Sequence, residues 1–321
     1  MNLLYPGRGA VAHDWLHIAS PHGGPVVQLE NEKLRCSVLP WAGAGIVELT
    51  CKPAGVDVMW LVPDGANYLF SQAHPMAPRQ EFVNRWPGGW PELFPTGSAM
   101  SDYFGVPQPF HGESVQRRWD HAIVNPGPDE AVARFTLTCA SAPLRLTREM
   151  ILRPGAEEIV LRETVVNLSD LEIPFMWGHH PTYGAPLLAE GTRIELPDCR
   201  FHKGDASLLT VPAEGARTGA MFYALDLADG YFGLFNPRLK LGAGIRFDRK
   251  LFKVLWVWQD FNSGMRAPLF GRGYATAVEP FTSLPGGMDA HGPSGTAARI
   301  APGATLQTEL TAFFYHSPIK G

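Results

Sequence analysis

The 321-residue sequence has no run of basic residues, no uninterrupted apolar stretch of membrane-spanning length and no closely spaced pair of cysteines. Its 31 acidic and 27 basic side chains are interspersed and leave a formal net charge of -4, which gives no electrostatic footprint for nucleic acid or an anionic membrane surface. A small neutral molecule is the expected partner, with neither nucleic acid nor membrane, and the chain is expected to be a monomer or homodimer. The first twenty residues lack the charged start, apolar core and cleavage signature of a secretory signal, so a cytoplasmic location is expected. Cys36, Cys51, Cys139 and Cys199 are too dispersed for a zinc knuckle or a redox CxxC pair, and they read as reduced, buried thiols. GxGxxG, GxxxxGK[ST] and GxSxG are all missing, so dinucleotide, P-loop and serine-hydrolase chemistry find no support.

A sustained helical period is also missing. The best short candidate, 216–227, is interrupted by Gly219 and aromatics. What is abundant is punctuation: 34 Gly and 29 Pro cut the chain at short intervals instead of collecting in one linker. Between them lie segments with period-two alternation or β-branched enrichment, at 25–30, 34–39, 45–52, 131–140, 144–152, 158–167, 193–196, 241–247, 253–259, 275–280 and 307–315. Alternation is clearest at 133–139 and 147–153, as expected where one sheet face meets the core and the other meets water. The short link Ser141-Ala142-Pro143 suits a hairpin. The composition, 45% hydrophobic and 18% charged, supplies a substantial core. These features predict an all-β protein, a large antiparallel β-sandwich with few short helices, formed by 1–321 as one domain, with 285–302 as a long surface loop.

Three segments place ionisable or amphipathic residues amid glycine, proline and aromatics, a mixture suited to a pocket wall. The first is 85–95, from Arg85 through Trp86, Gly88, Gly89 and Trp90 to Pro95, followed by His111-Gly112. Its prolines and paired glycines exclude a regular element, and Trp86 and Trp90 suit either stacking on a sugar ring or the core. The second is 174–184, which contains His179-His180-Pro181-Thr182-Tyr183. If extended, it sends the two histidines to opposite faces, so only one can enter a pocket. The third is 275–281, where Glu279 is the single charge. A carboxylate in such company is either a structural ion-pair member or a functional base. His111, His180 and Glu279 are metal-ligand types, but none sits in an HxH or HxxxH pair, and the HxxxH spacing of His13 and His17 lies in a stretch without helical character. No metal or other cofactor is expected.

On these residues the sequence resembles the aldose 1-epimerase (galactose mutarotase-like) superfamily. The resemblance starts at Val26-Val27-Gln28-Leu29-Glu30 and continues through Leu34-Arg35-Cys36-Ser37-Val38, similar to the family's opening strand pair, and extends to about Tyr315. Asn167-Leu168-Ser169-Asp170 followed by His180-Pro181-Thr182-Tyr183 is similar to the family's Asn-x-Ser/Thr segment and His-Pro-x-aromatic motif. Val278-Glu279-Pro280 resembles its Glu-Pro strand, and His111-Gly112 its substrate-binding His-Gly pair. The resemblance implies the galactose mutarotase-like supersandwich and an aldose 1-epimerase, or mutarotase, that needs no cofactor. It implies His180, protonated, as general acid and Glu279, ionised, as general base, opening and reclosing a pyranose ring.

Candidate substrate-binding residues are His111, Arg85, Gln259, Asp260 and Trp90. The segment 88–95 departs from the family's galactose enzymes, so the resemblance names no particular sugar. Two further readings stay open: an epimerase of a phosphorylated or modified sugar, for which Arg79, Arg85, Arg117 and Arg118 are available cations, and a non-catalytic carbohydrate-binding protein on the same fold.

Overall fold

The computed structural model describes residues 16–19, 24–63, 86–97, 101–103, 106–126, 128–266, 269–286 and 297–319. Two large antiparallel sheets carry the architecture. One has eight strands in the spatial order Arg193–Glu195, Tyr231–Asn236, Leu241–Phe247, Thr305–Tyr315, Glu158–Asn167, Leu144–Leu152, Ala131–Thr138 and Asp120–Pro126. In the other, Arg200–His202, Thr218–Leu225, Val254–Phe261, Tyr274–Phe281, Gly178–His179 and Glu92–Leu93 lie side by side, with Thr182–Tyr183 also paired to Tyr274–Phe281. A five-stranded sheet runs from Leu16–Ala19 to Val56–Asp57. Helical structure among the described residues is confined to two 3-10 turns, Ser114–Gln116 and Ala206–Leu209. None of their helices is long and apolar enough to cross a membrane.

Alternation decides which side chains enter the core. In the eight-stranded sheet Phe135, Leu146, Leu161 and Leu310 point inward, while Arg134 and Glu149 pair on the outer face at 2.7 Å. From the other sheet Phe222, Leu255, Val257 and Val278 join the same apolar cluster. Each such side chain contributes about 1.5–3 kcal/mol by leaving water. The hairpin at 141–143 forms between Ala131–Thr138 and Leu144–Leu152, with Leu144 N–H bonded to Ala142 O at 2.8 Å.

Two expectations are corrected. The segment 216–227 is not helical: Thr218–Leu225 is a strand paired with Val254–Phe261, Phe222 opposite Val257, because the ladder and the core contacts outweigh a weak local pattern. The segment 285–302 is not wholly a loop, since Ala298–Ile300 pairs with Ile173–Phe175, while 287–296 lie outside the described residues. Cys36, Cys51 and Cys139 are buried and Cys199 half-buried, all as free thiols.

Candidate active site

The short strand Gly178–His179 and the residues after it lie against Tyr274–Phe281, and the two-residue period sorts their side chains. His179 faces the core between the two large sheets. His180 faces the other way, toward Glu279, with Nε2 3.5 Å from Glu279 Oε1. Backbone bonds pin this segment: His180 N–H to Pro91 O at 3.0 Å, Thr182 N–H to Gly89 O at 3.1 Å and Trp60 N–H to Thr182 O at 2.8 Å. Gly89 is needed for that approach. Its φ is +75°, and a Cβ there would lie 2.2 Å from Ile46 O.

The pair is almost sealed, with side-chain exposures of 7% for His180 and 2% for Glu279. Burial pushes the Glu279 carboxyl well above the usual range and lowers the His180 imidazole to about 4. Both shifts favour the uncharged forms. An apolar enclosure disfavours each charged form, in opposition to the 3.5 Å attraction that the charged pair implied by the resemblance would gain. Glu279 Oε2 is buried without a hydrogen-bond partner among the described residues. His180 Nδ1 is held by Thr182 Oγ1 at 3.0 Å.

Aromatic rings close the surroundings. Trp86 meets the His180 ring edge-on at 5.2 Å, Trp258 lies 6.2 Å from it, and Trp86 also packs on Trp258 and Trp60. His111 approaches His180 with ring centroids 5.8 Å apart. Its Nδ1 donates to Gly97 O at 2.6 Å, so in the neutral ring Nε2 is the acceptor. His111 and Gly112 both have positive φ, and a Cβ on Gly112 would stand 2.5 Å from Phe94 O, so the turn presenting His111 requires glycine next to it.

The structure therefore brings together His180, Glu279 and His111, with Trp86 as a wall. It does not bring Trp90 to them: the ring is fully buried on the core side, and its Nε1–H donates to His179 Nδ1 at 3.2 Å. Gln259 projects from the opposite face of its strand, paired with Thr276 and not with Ala277 or Glu279, and its amide bonds Leu208 O at 2.8 Å. Asp260 shares the face of Glu279, and its Oδ1 accepts from Ser263 N–H at 2.7 Å and Gly264 N–H at 3.0 Å, which holds a turn. Arg79 and Arg85 lie outside the described residues. Trp258 and Thr182 were not singled out from the sequence. The alternation that exposes Glu279 to the site also selects both, since Trp258 and Thr182 pair with Ala277, two residues before Glu279.

Residues 136–313 match the profile of a protein family described as Domain of unknown function (DUF4432). This chain belongs to the DUF4432 family. No curated protein matches its sequence. Among solved structures, the DUF4432 chain is similar to a candidate aldose 1-epimerase from Klebsiella pneumoniae, at 17% identity over 94% of this chain and 83% of that one, with a TM-score of 0.77. It is also similar to the Slr1438 protein from Synechocystis, at 17% identity, 93% and 98% coverage and a TM-score of 0.70. A galactose mutarotase-like protein from Clostridium acetobutylicum aligns at 14% identity, 94% and 98% coverage and a TM-score of 0.66. The DUF4432 chain thus has the galactose mutarotase-like fold.

Behind the site, on the core side, Glu92, Glu163 and His179 place ligand-type atoms within 4.8 Å of one another. The set does not suit a metal. Trp90 Nε1–H points at His179 Nδ1, which leaves the ring proton on Nε2, where it meets Glu163 Oε2 at 3.1 Å. A metal on Nε2 would drive that proton to Nδ1, against the indole donor, or force an imidazolate. Arg148 already supplies the cation, with Nη1 3.2 Å from Glu92 Oε2 and Nη2 bonded to Ala44 O.

Proposed function

We propose that this protein is a sugar mutarotase, which interconverts the α and β anomers of an aldose by acid-base opening and reclosure of the pyranose ring. The observation that carries the reading is the His180–Glu279 pair: two proton carriers 3.5 Å apart, nearly sealed and bordered by tryptophan rings. Ring opening needs one group to take the proton of the anomeric hydroxyl and another to give a proton to the ring oxygen. A pair holding one proton does both and recovers its starting state when the ring recloses. The rings of Trp86 and Trp258 supply apolar surface for a sugar ring, and His111 supplies a hydrogen-bonding partner for a hydroxyl.

The substrate we propose is an unmodified sugar. Among the described candidate cations, Arg117 is turned to Glu113 at 3.6 Å and Arg118 is exposed. The presence of both proton carriers speaks against a purely binding role.

The test is polarimetry or NMR exchange on freshly dissolved α-anomers of several aldoses, whose spontaneous mutarotation supplies the baseline. Wild type is expected to accelerate at least one of them, and His180→Asn to lose about 10²–10⁴-fold of that acceleration. No acceleration by folded wild type on any free aldose would overturn the reading. Exhaustive chelation is expected to leave the catalysed rate unchanged, because the proposed chemistry uses proton carriers alone. A rate that collapses on chelation and returns with added metal would contradict it.

A further inference from the structure

We infer that Glu113 is a positioning residue for the proposed substrate site: its carboxylate, seated on the tip of a hairpin of the eight-stranded sheet, fixes the turn that presents His111 to His180 and Glu279. The seat follows from the bonding around Glu113. Its effect on turnover rests on the mutarotase reading.

Glu113 is buried, 6% exposed, and follows His111 and Gly112 directly in the chain. A buried carboxylate is costly unless donors surround it. Here Oε2 accepts from Ala140 N–H at 2.9 Å, and Oε1 accepts from Ser141 N–H at 3.0 Å and from the Ser141 hydroxyl. Arg117 adds a cation 3.6 Å from Oε2. Two successive backbone N–H groups and a hydroxyl that converge on one carboxylate make an anion nest. The need is mutual. Ala140 and Ser141 lie at the tip between Ala131–Thr138 and Leu144–Leu152, past the last ladder pair of Thr138 with Arg145, and among the described residues neither N–H has a backbone acceptor.

The turn has a second anchor, on the other large sheet. Ser114 N–H bonds Phe94 O at 3.0 Å, while the Ser114 hydroxyl donates to Glu92 O at 2.5 Å and accepts from Phe94 N–H at 2.8 Å. Trp119 Nε1–H reaches Ser114 O at 3.0 Å. Consecutive residues thus tie the turn to both sheets. One anchor would leave the preceding residues free to pivot about it, whereas two fix their direction. His111 needs such support. Its φ is +67° and that of Gly112 is +78°, and a histidine stays in the left-handed region only where its surroundings impose it. The Gly112 N–H bond to Pro109 O at 3.0 Å and the His111 Nδ1 bond to Gly97 O at 2.6 Å act within the turn; Glu113 and Ser114 set where the turn stands.

His111 offers a sugar hydroxyl a hydrogen bond that is made alike before and during ring opening. Displacing it therefore removes uniform binding, which raises KM and spares kcat. The loss of one neutral hydrogen bond corresponds to a factor of roughly 3 to 10.

Mutarotation kinetics of full-length wild type, Glu113→Ala, His111→Ala and the double variant test this. Glu113→Ala is expected to raise KM roughly 3- to 10-fold with kcat nearly unchanged. On the His111→Ala background the same change should raise KM no further, because the residue it acts through is gone. A merely structural role would lower stability on both backgrounds without that non-additivity. A KM that Glu113→Ala leaves unchanged, or raises equally on both backgrounds, would overturn the proposal. Glu113→Gln keeps the size and one acceptor oxygen, and replaces the alanine variant in the same cycle should that one fail to fold.

Hydrogen exchange reads the seat in wild type alone. The Ala140 and Ser141 N–H groups are expected to exchange at least roughly 10-fold more slowly than unstructured amides, although Ala140 is exposed. Free exchange at both would overturn the seat without any variant. If folded wild type accelerates no sugar while these amides are protected, the mutarotase reading and the role in substrate binding fall together, and the seat stands. Acceleration with freely exchanging amides would leave the mutarotase reading and reject this inference.

Discussion

Glu279→Gln is expected to lower the catalysed mutarotation rate by about 10²–10⁴-fold, with the fold unchanged. The amide has the size of the carboxyl, and the site offers it the same buried place, 2% exposed, between the Trp256 strand and His180. It can neither take a proton from the sugar nor return one, so both half-reactions lose a partner. Stability should move in the opposite sense at alkaline pH. Because burial raises the folded pKa of Glu279, its stabilising contribution is full below the unfolded pKa of about 4.3 and is lost as pH rises through the folded value. The glutamine does not titrate, so the variant should resist urea at pH 9 at least as well as wild type. Polarimetry beside urea melts at pH 6 and pH 9 checks both halves. A variant within a few-fold of the wild-type rate would remove Glu279 from the chemistry.

Which parts of this arrangement could be read from the sequence follows from their range. Alternation is local, so the strands around 133–139 and 147–153 were legible, as were the opposite faces of His179 and His180. His180 and Glu279 stood out because an ionisable group amid apolar residues is costly unless it has a task. Where the other candidates point depends on facts a local pattern does not contain. Gln259 and Asp260 are neighbours in a strand and were read together, yet their side chains leave on opposite faces, and the register against Thr276 and Ala275 decides which one shares the site's face. Trp90 and Trp86 flank the same glycine pair, but the turn there sends Trp90 to His179 in the core and Trp86 to His180. The strand Thr218–Leu225 hid behind Gly219, whose lack of a side chain admits Ser263 and Gln259 O across the ladder.

The charged cluster between the sheets was not legible at all, because it is assembled from four separate strands. Arg148 and Glu163 are register partners on the eight-stranded sheet, and Glu92 and His179 are register partners on the other. Trp177 Nε1–H adds a 2.7 Å bond to Glu92 Oε1, and the Trp119 and Phe135 rings lie 5.4 Å from the guanidinium carbon. Through His179 this network holds the strand whose next residue is His180. It thus links sandwich packing to the placement of His180.

Arg148→Met is expected to be the most destabilising single change in the molecule outside apolar truncations, at about 3–5 kcal/mol, since it strips the partner from buried carboxyls. The loss should depend on pH. Burial and mutual repulsion raise Glu92 to about 7, and burial raises Glu163 to about 8, so near neutrality the two acids hold roughly one proton between them and the guanidinium balances the remaining charge. Below pH 6 both acids can be protonated, and the cluster tolerates losing its cation. Above pH 8 both are driven toward ionisation without a counter-charge.

The wild-type profile has the same origin. The raised carboxyls lose stability as pH rises from about 4.3 through 7 and 8. His179 and His180, lowered to about 4, contribute stability that is full above 6.5 and lost as pH falls through 4. Between about 4.3 and 6.5 the two trends oppose each other, and above 6.5 the acids alone set a downward slope. Urea melts of wild type and Arg148→Met at pH 5.5 and 8.5 should therefore show a gap that widens with pH, and adding Glu92→Gln to the methionine variant should narrow it. A gap independent of pH would mean that Arg148 matters for its packing on Trp119 and Phe135, and not for its charge.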